Sequence, residues 1–491
     1  MMSQQNVTEH NINPRRSPSW ELVLWLLHLM GALLKEVQDL RAKVASLEKD
    51  STNSHKPPSS DGPKKNHPVL KRGSSGRKPG GQKGHRGKAR PRVPPHEVAK
   101  TVIHKPNLCQ RCGASFSENN ESTPVESCQV WDIPQINPYV IDHVFYKTTC
   151  DCGHQTRLPV PNWMYSGTGE RLQALIAYFT TDTKLSRRGV QAVLADVFNV
   201  PLSLGTVQNR LEDISEVLKP TCDELENELT KEPVVNIDET GYSHNNTLAW
   251  LWAFVTSTFV FFTLQASRGS NVIKTILGET FDGIIICDRF SAYVKYHRDR
   301  ACGLIQLCWA HLIRDIKALR QEMAFESDLI FSVVMRKRIG AVFRLWYVHK
   351  RGKISRRQLI KMAEPLITEM RTFVEKNLQN PSTKVAKFSK QLLKRWDSLF
   401  TFIYHEGVQP TNNLAERLIR LGVLTRKISY CTRSTNGQLL RARLLTVSQT
   451  CRMQKRDPLN FYRTAIHAHR NNLPPPSLLI KDKKCELPLA A

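Results

Sequence analysis

Three carboxylates stand where apolar segments end. Asp238 closes the β-like run of PVVNIDET, Asp288 follows the apolar part of GIIICDRFSAY, and Glu416 lies in PTNNLAERLIRLGVLTRKISY. In that last stretch Asn412 or Asn413 can cap a helix start, and Leu414, Leu418 and Leu421 have the spacing of a buried helix face. Alone, Glu416 has an ordinary reading, because an acid in a first turn meets the helix dipole favourably. Together with Asp238 and Asp288 it has a chemical one. Hard divalent cations select oxygen ligands. Two magnesium ions ~3.5–4 Å apart can serve the attacking and leaving oxygens of an in-line phosphodiester displacement. Arg417, Arg420, Arg426 and Lys427 flank Glu416 and would face DNA phosphates. Glu239 and Asp282 are nearby acids of lesser promise. Alternation sends Glu239 to the opposite side of its strand from Asp238, and Asp282 precedes its strand.

The acids need a scaffold that gathers them. After Pro233, PVVNIDET, LAWLWAFV and TFVFFTLQ read as three consecutive strands and SNVIKTILG as a helix. GIIICDRFSAY is a further strand, and GLIQLCWAHLIRDIKALR is a strand passing into a helix. This order matches an α/β ribonuclease-H-like core, in which the first and fourth strands lie side by side and Asp238 neighbours Asp288. A later helix crossing that edge could present Glu416 to both. The core is placed at 231–470, with a Lys/Arg-rich helical insertion at about 316–408 and a C-terminal tail at 471–491.

Four further regions precede it. Leu26, Leu33, Leu40 and Leu47 recur every seven residues, with Val23, Met30, Val37 and Val44 at the companion position. Val with Leu in these places favours a parallel two-stranded coiled coil over 20–50, hence a homodimer, with a higher oligomer left open by extra leucines. Residues 51–98 are dense in Pro, Gly, Ser, Lys and Arg. Such a linker buries too little apolar area to order itself, and its cations, Arg77, Lys78, Lys83 and Arg86 among them, suit sequence-independent phosphate contact. At 99–162 the pairs Cys109/Cys112 and Cys150/Cys152 flank a β-like segment, 129–148. They can offer four thiolates to a structural zinc, with His154 or Cys128 as substitutes. At 163–230, RRGVQAVLADVFNVPLSLGTVQNRLEDI reads as two helices about a turn at 199–203, the outline of a helix-turn-helix.

Charge points the same way. Lys and Arg number 71 against 44 Asp and Glu, a net +27 with pI near 9.7, which suits a polyanionic partner such as double-stranded DNA. Twelve cysteines over 491 residues do not resemble a small disulfide scaffold. The opening lacks a signal-peptide core, and the apolar run Leu22 to Leu34 falls short of the ~20 residues a bilayer requires. The expectation is a soluble, cytoplasmic protein that associates with the nucleoid when bound to DNA, without a membrane partner.

DETGY, CDRFSAY, CWAHLIRDI, PTNNLAERLIR and RKISY, in this order, resemble motifs of the transposase of the IS66 insertion-sequence family, and GRKPGGQKGHRG and the cysteine pairs resemble its N-terminal half. The resemblance runs from roughly Leu22 to about His467. It implies an Asp-Asp-Glu transposase with a ribonuclease-H-like catalytic domain, its triad by position Asp238, Asp288 and Glu416. The reaction implied is metal-dependent cleavage of element ends and joining of the 3′ ends to target DNA. Two magnesium ions, or manganese in their place, would be the catalytic cofactor and zinc a structural one. Accessory proteins are left open. The chain departs from the family at Arg289 and Phe290, where Gly-Tyr is usual, and at Thr411, where Asp is frequent. Trp309 reads as core. His311 could approach a scissile phosphate or simply start a helix. Rival readings are a related nuclease without strand transfer and a dimeric DNA-binding regulator with a vestigial core.

Overall fold

A computed structural model of the chain describes residues 20–47, 82, 84–85, 90–300, 302–322, 326–429 and 432–480. Arg77, Lys78, Lys83 and Arg86 lie outside the described residues, as does most of the linker. Helix α1 covers Trp20–Leu47, and its Leu26, Leu33, Leu40, Met30, Val37 and Val44 are all exposed. The cysteine-bearing region holds only a small antiparallel hairpin, β1 (Lys147–Thr149) with β2 (Gln155–Arg157). The expected β-like segment is therefore corrected. Residues 129–146 form no ladder, Pro134 and Pro138 remove two donors, and Val130, Ile133, Tyr139 and Val140 stay exposed.

Four helices follow: α2 (Glu170–Thr181), α3 (Arg187–Phe198), α4 (Leu204–Val217) and α5 (Lys219–Leu229). Ser186 caps α3 and Ser203 caps α4, each hydroxyl accepting a backbone N–H of the first turn. Asn199 ends α3 in the left-handed region, a conformation Asn tolerates well, so the turn falls where the sequence places it. The central sheet comprises β3 (Val234–His244), β4 (Thr247–Val255), β5 (Val260–Gln265), β6 (Ile284–Cys287) and β7 (Leu304–Leu307), in the spatial order β5-β4-β3-β6-β7. The first three are antiparallel, while β6 and β7 run parallel to β3. A two-residue Asn245-Asn246 turn, both residues at positive φ, closes the β3–β4 hairpin. Helix α6 (Ser270–Leu277) links β5 to β6, and α7 (Ser291–Asp299) links β6 to β7.

Between β7 and the last core helix the chain is helical: α8 (Trp309–Glu322), α9 (Glu326–Lys350), α10 (Arg356–Lys376), α11 (Thr383–Leu393) and α12 (Thr401–Tyr404). Its return covers the β7 edge. Thr401 donates to Ile305 O (2.7 Å), and the Phe402 N–H donates to the Gln306 side chain (2.9 Å). Three helices end the fold: α13 (Asn413–Ser429), α14 (Thr435–Met453) and α15 (Pro458–Arg470). The opposite edge, β5, is blunted by α14, whose Thr450 and Thr446 hydroxyls accept the N–H groups of Val260 and Phe262 (3.2 and 2.9 Å).

The helices before the sheet are not a separate lobe. Their Ala174, Leu194, Leu211 and Leu225 share one apolar core with Val235, Ile285, Leu444 and Phe461. Arg443 of α14 ties to Ser215 and Glu216 of α4, and Ser448 and Arg452 of α14 bind Asp182 at the end of α2. Helix α4 is thus packed into the fold, with Gly205, Asn209, Asp213 and Glu216 its exposed positions.

Candidate active site

Strand β3 outruns its neighbour. Pairing with β6 spans Val234↔Ile284 to Asn236↔Ile286, and continuing this register by two residues sets Asp238 opposite Asp288. Asp288 follows the last residue of β6 and accepts the N–H of Phe290 through Oδ1 (2.8 Å), a turn that fixes the carboxylate at the strand exit. On β3, Asp238 pairs with Ala253 and Glu239 with Trp252. Ala253 belongs to the cluster against α13, Trp252 to the core on the other face. Asp238 and Glu239 therefore look to opposite faces, as alternation requires.

Helix α13 lies on the Asp238 face, buried along Ala415, Leu418, Ile419, Gly422 and Thr425. That stripe departs from the leucine spacing read in the sequence, and Leu414 and Leu421 are only partly buried. At Gly422 a Cβ would collide with the side chain of Leu251, so the missing side chain lets α13 lie close on β4. Glu416 sits in its first turn, beside the buried stripe.

The three acids feel one another. Burial first, then the charges of Glu239, Glu416 and Asp288, push the Asp238 carboxyl well above its usual range. Burial also raises Glu416, with Asp288 adding to the rise and Arg314 opposing it. Arg314 on α8 lies 3.7 Å from Glu416 Oε2, and His311 Nδ1 lies 3.6 Å from Oε1. Cys308 Sγ is 4.0 Å from the same oxygen. Cys308, His311 and Glu416 form the one group of three or more donor atoms within 4.8 Å of each other among the described residues. The spacing of residues 308, 311 and 314 puts them on one helical face, a signal legible in CWAHLIRDI.

Buried Asn412 laces the site together. Its side chain donates to Ile237 O (2.8 Å) and accepts from Asn236 (3.1 Å). Its N–H reaches Cys308 Sγ (3.1 Å) and its carbonyl accepts the Glu416 N–H (3.1 Å). One residue thus joins the Asp238 strand, the start of α8 and the Glu416 helix. Trp309 is core, its indole N–H donating to Leu399 O (2.6 Å).

On the opposite face Glu239 accepts from Tyr293 and from Arg268 (2.8 Å), and burial raises its pKa to about 7. Arg289 pairs with Asp315 of α8, and Phe290 lies under the Arg268 guanidinium. Among the flanking cations, Arg417, Arg420 and Lys427 are exposed. Arg426 instead donates to Gly241 O and holds α13 to β3, which corrects its expected phosphate-facing role. The four cysteines expected to bind zinc stand as two separate pairs. Cys109 lies beside Cys112 and Cys150 beside Cys152, each pair close enough to lower one thiol's pKa, but no three of these sulfurs come within 4.8 Å of one another.

Residues 166–439, more than half of the chain, match the family described as "Transposase IS66 family". The chain belongs to that family. Residues 15–91 match a family of unknown function, DUF6444. Two curated relatives come from Sinorhizobium fredii (strain NBRC 101917 / NGR234). The uncharacterized protein y4qI is 30% identical over 45% of this chain, and the matched part takes in only 43% of y4qI. The uncharacterized protein y4hP is 23% identical over 74% of this chain and 70% of its own length. The family-matched region runs from α2 to the first residues of α14 and so contains the sheet, the helical insertion and all three acids. Among the described residues no helix is long and apolar enough to cross a membrane.

Proposed function

We propose that this family member is an Asp-Asp-Glu DNA transposase with a ribonuclease-H-like catalytic core. It cuts the ends of an insertion sequence and joins the freed 3′ ends to target DNA. The observation that supports the reading is that Asp238, from a strand far away in sequence, feels the charges of Glu416 and Asp288, although the three carboxylates are not gathered within 4.8 Å of one another. The strand order β5-β4-β3-β6-β7 supports the core assignment.

The donor set fits a hard divalent cation. Asp238 and Glu416 are partly withdrawn from water and stand near other acids, so these two hold their protons more tightly than usual, and a cation relieves the same repulsion. When bound, magnesium or manganese would supply Lewis-acid stabilisation of the attacking and leaving oxygens. The chain's own residues do the placing. Asn412 holds the Asp238 strand and the Glu416 helix in register. Arg314 steadies Glu416 and adds positive charge beside the phosphate. Exposed Arg417 and Arg420 extend that charge along α13 toward the DNA backbone. Glu239 stays outside the set, held on the other face by Tyr293 and Arg268.

The test is Glu416→Gln on an element-end duplex in magnesium. The amide keeps size and helix but loses one ligand charge, so nicking and strand transfer should fall by orders of magnitude with binding retained. If Glu416 only favoured the helix dipole, the change would cost ~0.3–1 kcal/mol of stability and leave cleavage intact. Near-wild-type nicking excludes it from the site.

A further inference from the structure

A cleft of about 640 Å³ opens on the sheet face opposite Asp238, between the core and the helical insertion. Arg268, Phe290, Lys295, Arg298, Lys394 and Arg395 line it, so five cations and no acid face the space. Like charges gathered this way repel unless an anion lies among them. The positions are built rather than incidental. The Arg268 guanidinium is held over the rings of Trp250 (4.6 Å) and Phe290 (3.9 Å) and bound from behind by buried Glu239. Arg395 lies near enough to Arg289 for the two guanidiniums to oppose each other, and its Nε is screened from water with no acceptor among the described residues. Arg298 pairs with exposed Asp299 (3.0 Å). The cleft adjoins the acids through the turn 288–290, which carries Asp288 at one end and Phe290 at the other.

We propose that this cleft holds the sugar-phosphate backbone of the DNA duplex leading to the cleavage site, clasped between α7 on the core and Lys394 and Arg395 of the insertion. The proposal rests on the transposase reading and adds a function for the insertion, which would close one side of the track. Phosphates are the ligand, so recognition here is independent of base sequence.

The experiment measures binding of the full chain to a labelled random-sequence duplex at increasing salt, alongside magnesium-dependent nicking of an element-end duplex. The variant combines Lys295→Ala, Arg298→Ala, Lys394→Ala and Arg395→Ala and leaves Arg268 and every acid in place. A control removes four exposed cations outside the cleft, at Lys353, Arg357, Lys361 and Lys376. Each phosphate contact contributes about 0.9 to the slope of log affinity against log salt, so the cleft variant should lose about 2–4 from the slope and roughly 10–1,000-fold in affinity near physiological salt. The control should lose little of either. If the fourfold variant misfolds by circular dichroism, Lys295→Glu with Lys394→Glu, both at exposed positions, gives the same readout. An unchanged slope, or equal losses in cleft variant and control, overturns the cleft. Absence of nicking by the wild-type chain instead overturns the transposase reading, and the binding slopes still decide the cleft on their own.

Discussion

Asp238→Asn tests whether the three acids behave as an empty cation site. Burial and three neighbouring carboxylates raise the folded-state pKa of Asp238 above its usual value of 3.8. Between those two values the folded chain holds more protons than the unfolded one, so stability falls as pH rises through the window. The penalty is fully present above the folded pKa and absent below the unfolded one. Like charges ~4 Å apart repel by ~1–4 kcal/mol across the dielectric range between water and protein surface, an upper bound here because the three acids are not all within 4.8 Å of one another. In EDTA at pH 8, Asp238→Asn should therefore be more stable than wild type by up to that amount, with the difference gone near pH 4. Magnesium should act in reverse. At about ten times its dissociation constant it stabilises wild type by ~1.4 kcal/mol, a rise of roughly 1–2 °C in Tm for a fold of this size, and it should do far less for the variant. Thermal unfolding with and without magnesium at the two pH values reads all four quantities. A variant no more stable than wild type at pH 8 in EDTA, with an undiminished magnesium shift, would refute the reasoning.

Three further outcomes follow from the same geometry. Gly422→Val should cost about 1–3 kcal/mol by overpacking against Leu251 and should lower nicking with the displaced Glu416; urea titration and the nicking assay read both, and an unchanged midpoint would mean α13 does not lie this close to β4. Asn412→Ala leaves the Ile237 carbonyl and the Asn236 amide without their buried partner, a loss of about 2–4 kcal/mol, measurable by chemical denaturation. Purified protein should carry about one zinc per chain through Cys109, Cys112, Cys150 and Cys152, with the two thiol pairs drawn together by the metal; elemental analysis finding none, and no change on Cys109→Ser, would remove zinc from the N-terminal region.

How much was legible depended on which physical signal each element left. The strand order was readable because PVVNIDET, LAWLWAFV and GIIIC carry dense apolar runs ending at acids or turns, and the β3–β6 adjacency follows from it. The continuation of β3 through Gly241 to His244 left no such signal, since that hairpin arm is polar and is set by the Asn245-Asn246 turn. In α13 only Leu418 of Leu414, Leu418 and Leu421 is buried, because the small Ala415 and Gly422 mark where the helix touches the sheet. Arg426 looked like its exposed neighbours until the fold brought Gly241 O beneath it. The union of α2–α5 with α14 and α15 depends on contacts across more than two hundred residues, such as Arg443 with Ser215, which no local pattern encodes.

The departures at Arg289 and Phe290 acquire a common sense from the cleft. Both residues follow Asp288, and Arg289 turns its side chain to α8 while Phe290 packs on the core beside the cleft. Arg289 meets Asp315 of α8, and Phe290 forms one wall behind Arg268. Glycine at position 289 would remove the link between the strand exit and α8. The stretch that holds one acid of the site is thus also the joint between core and insertion. Arg289, next to Asp288, meets Asp315 of α8 and feels the charge of Arg395. A phosphate track that engages Lys394 and Arg395 would therefore bear directly on how Asp288 is held, which makes the insertion part of the site's positioning rather than a decoration on it.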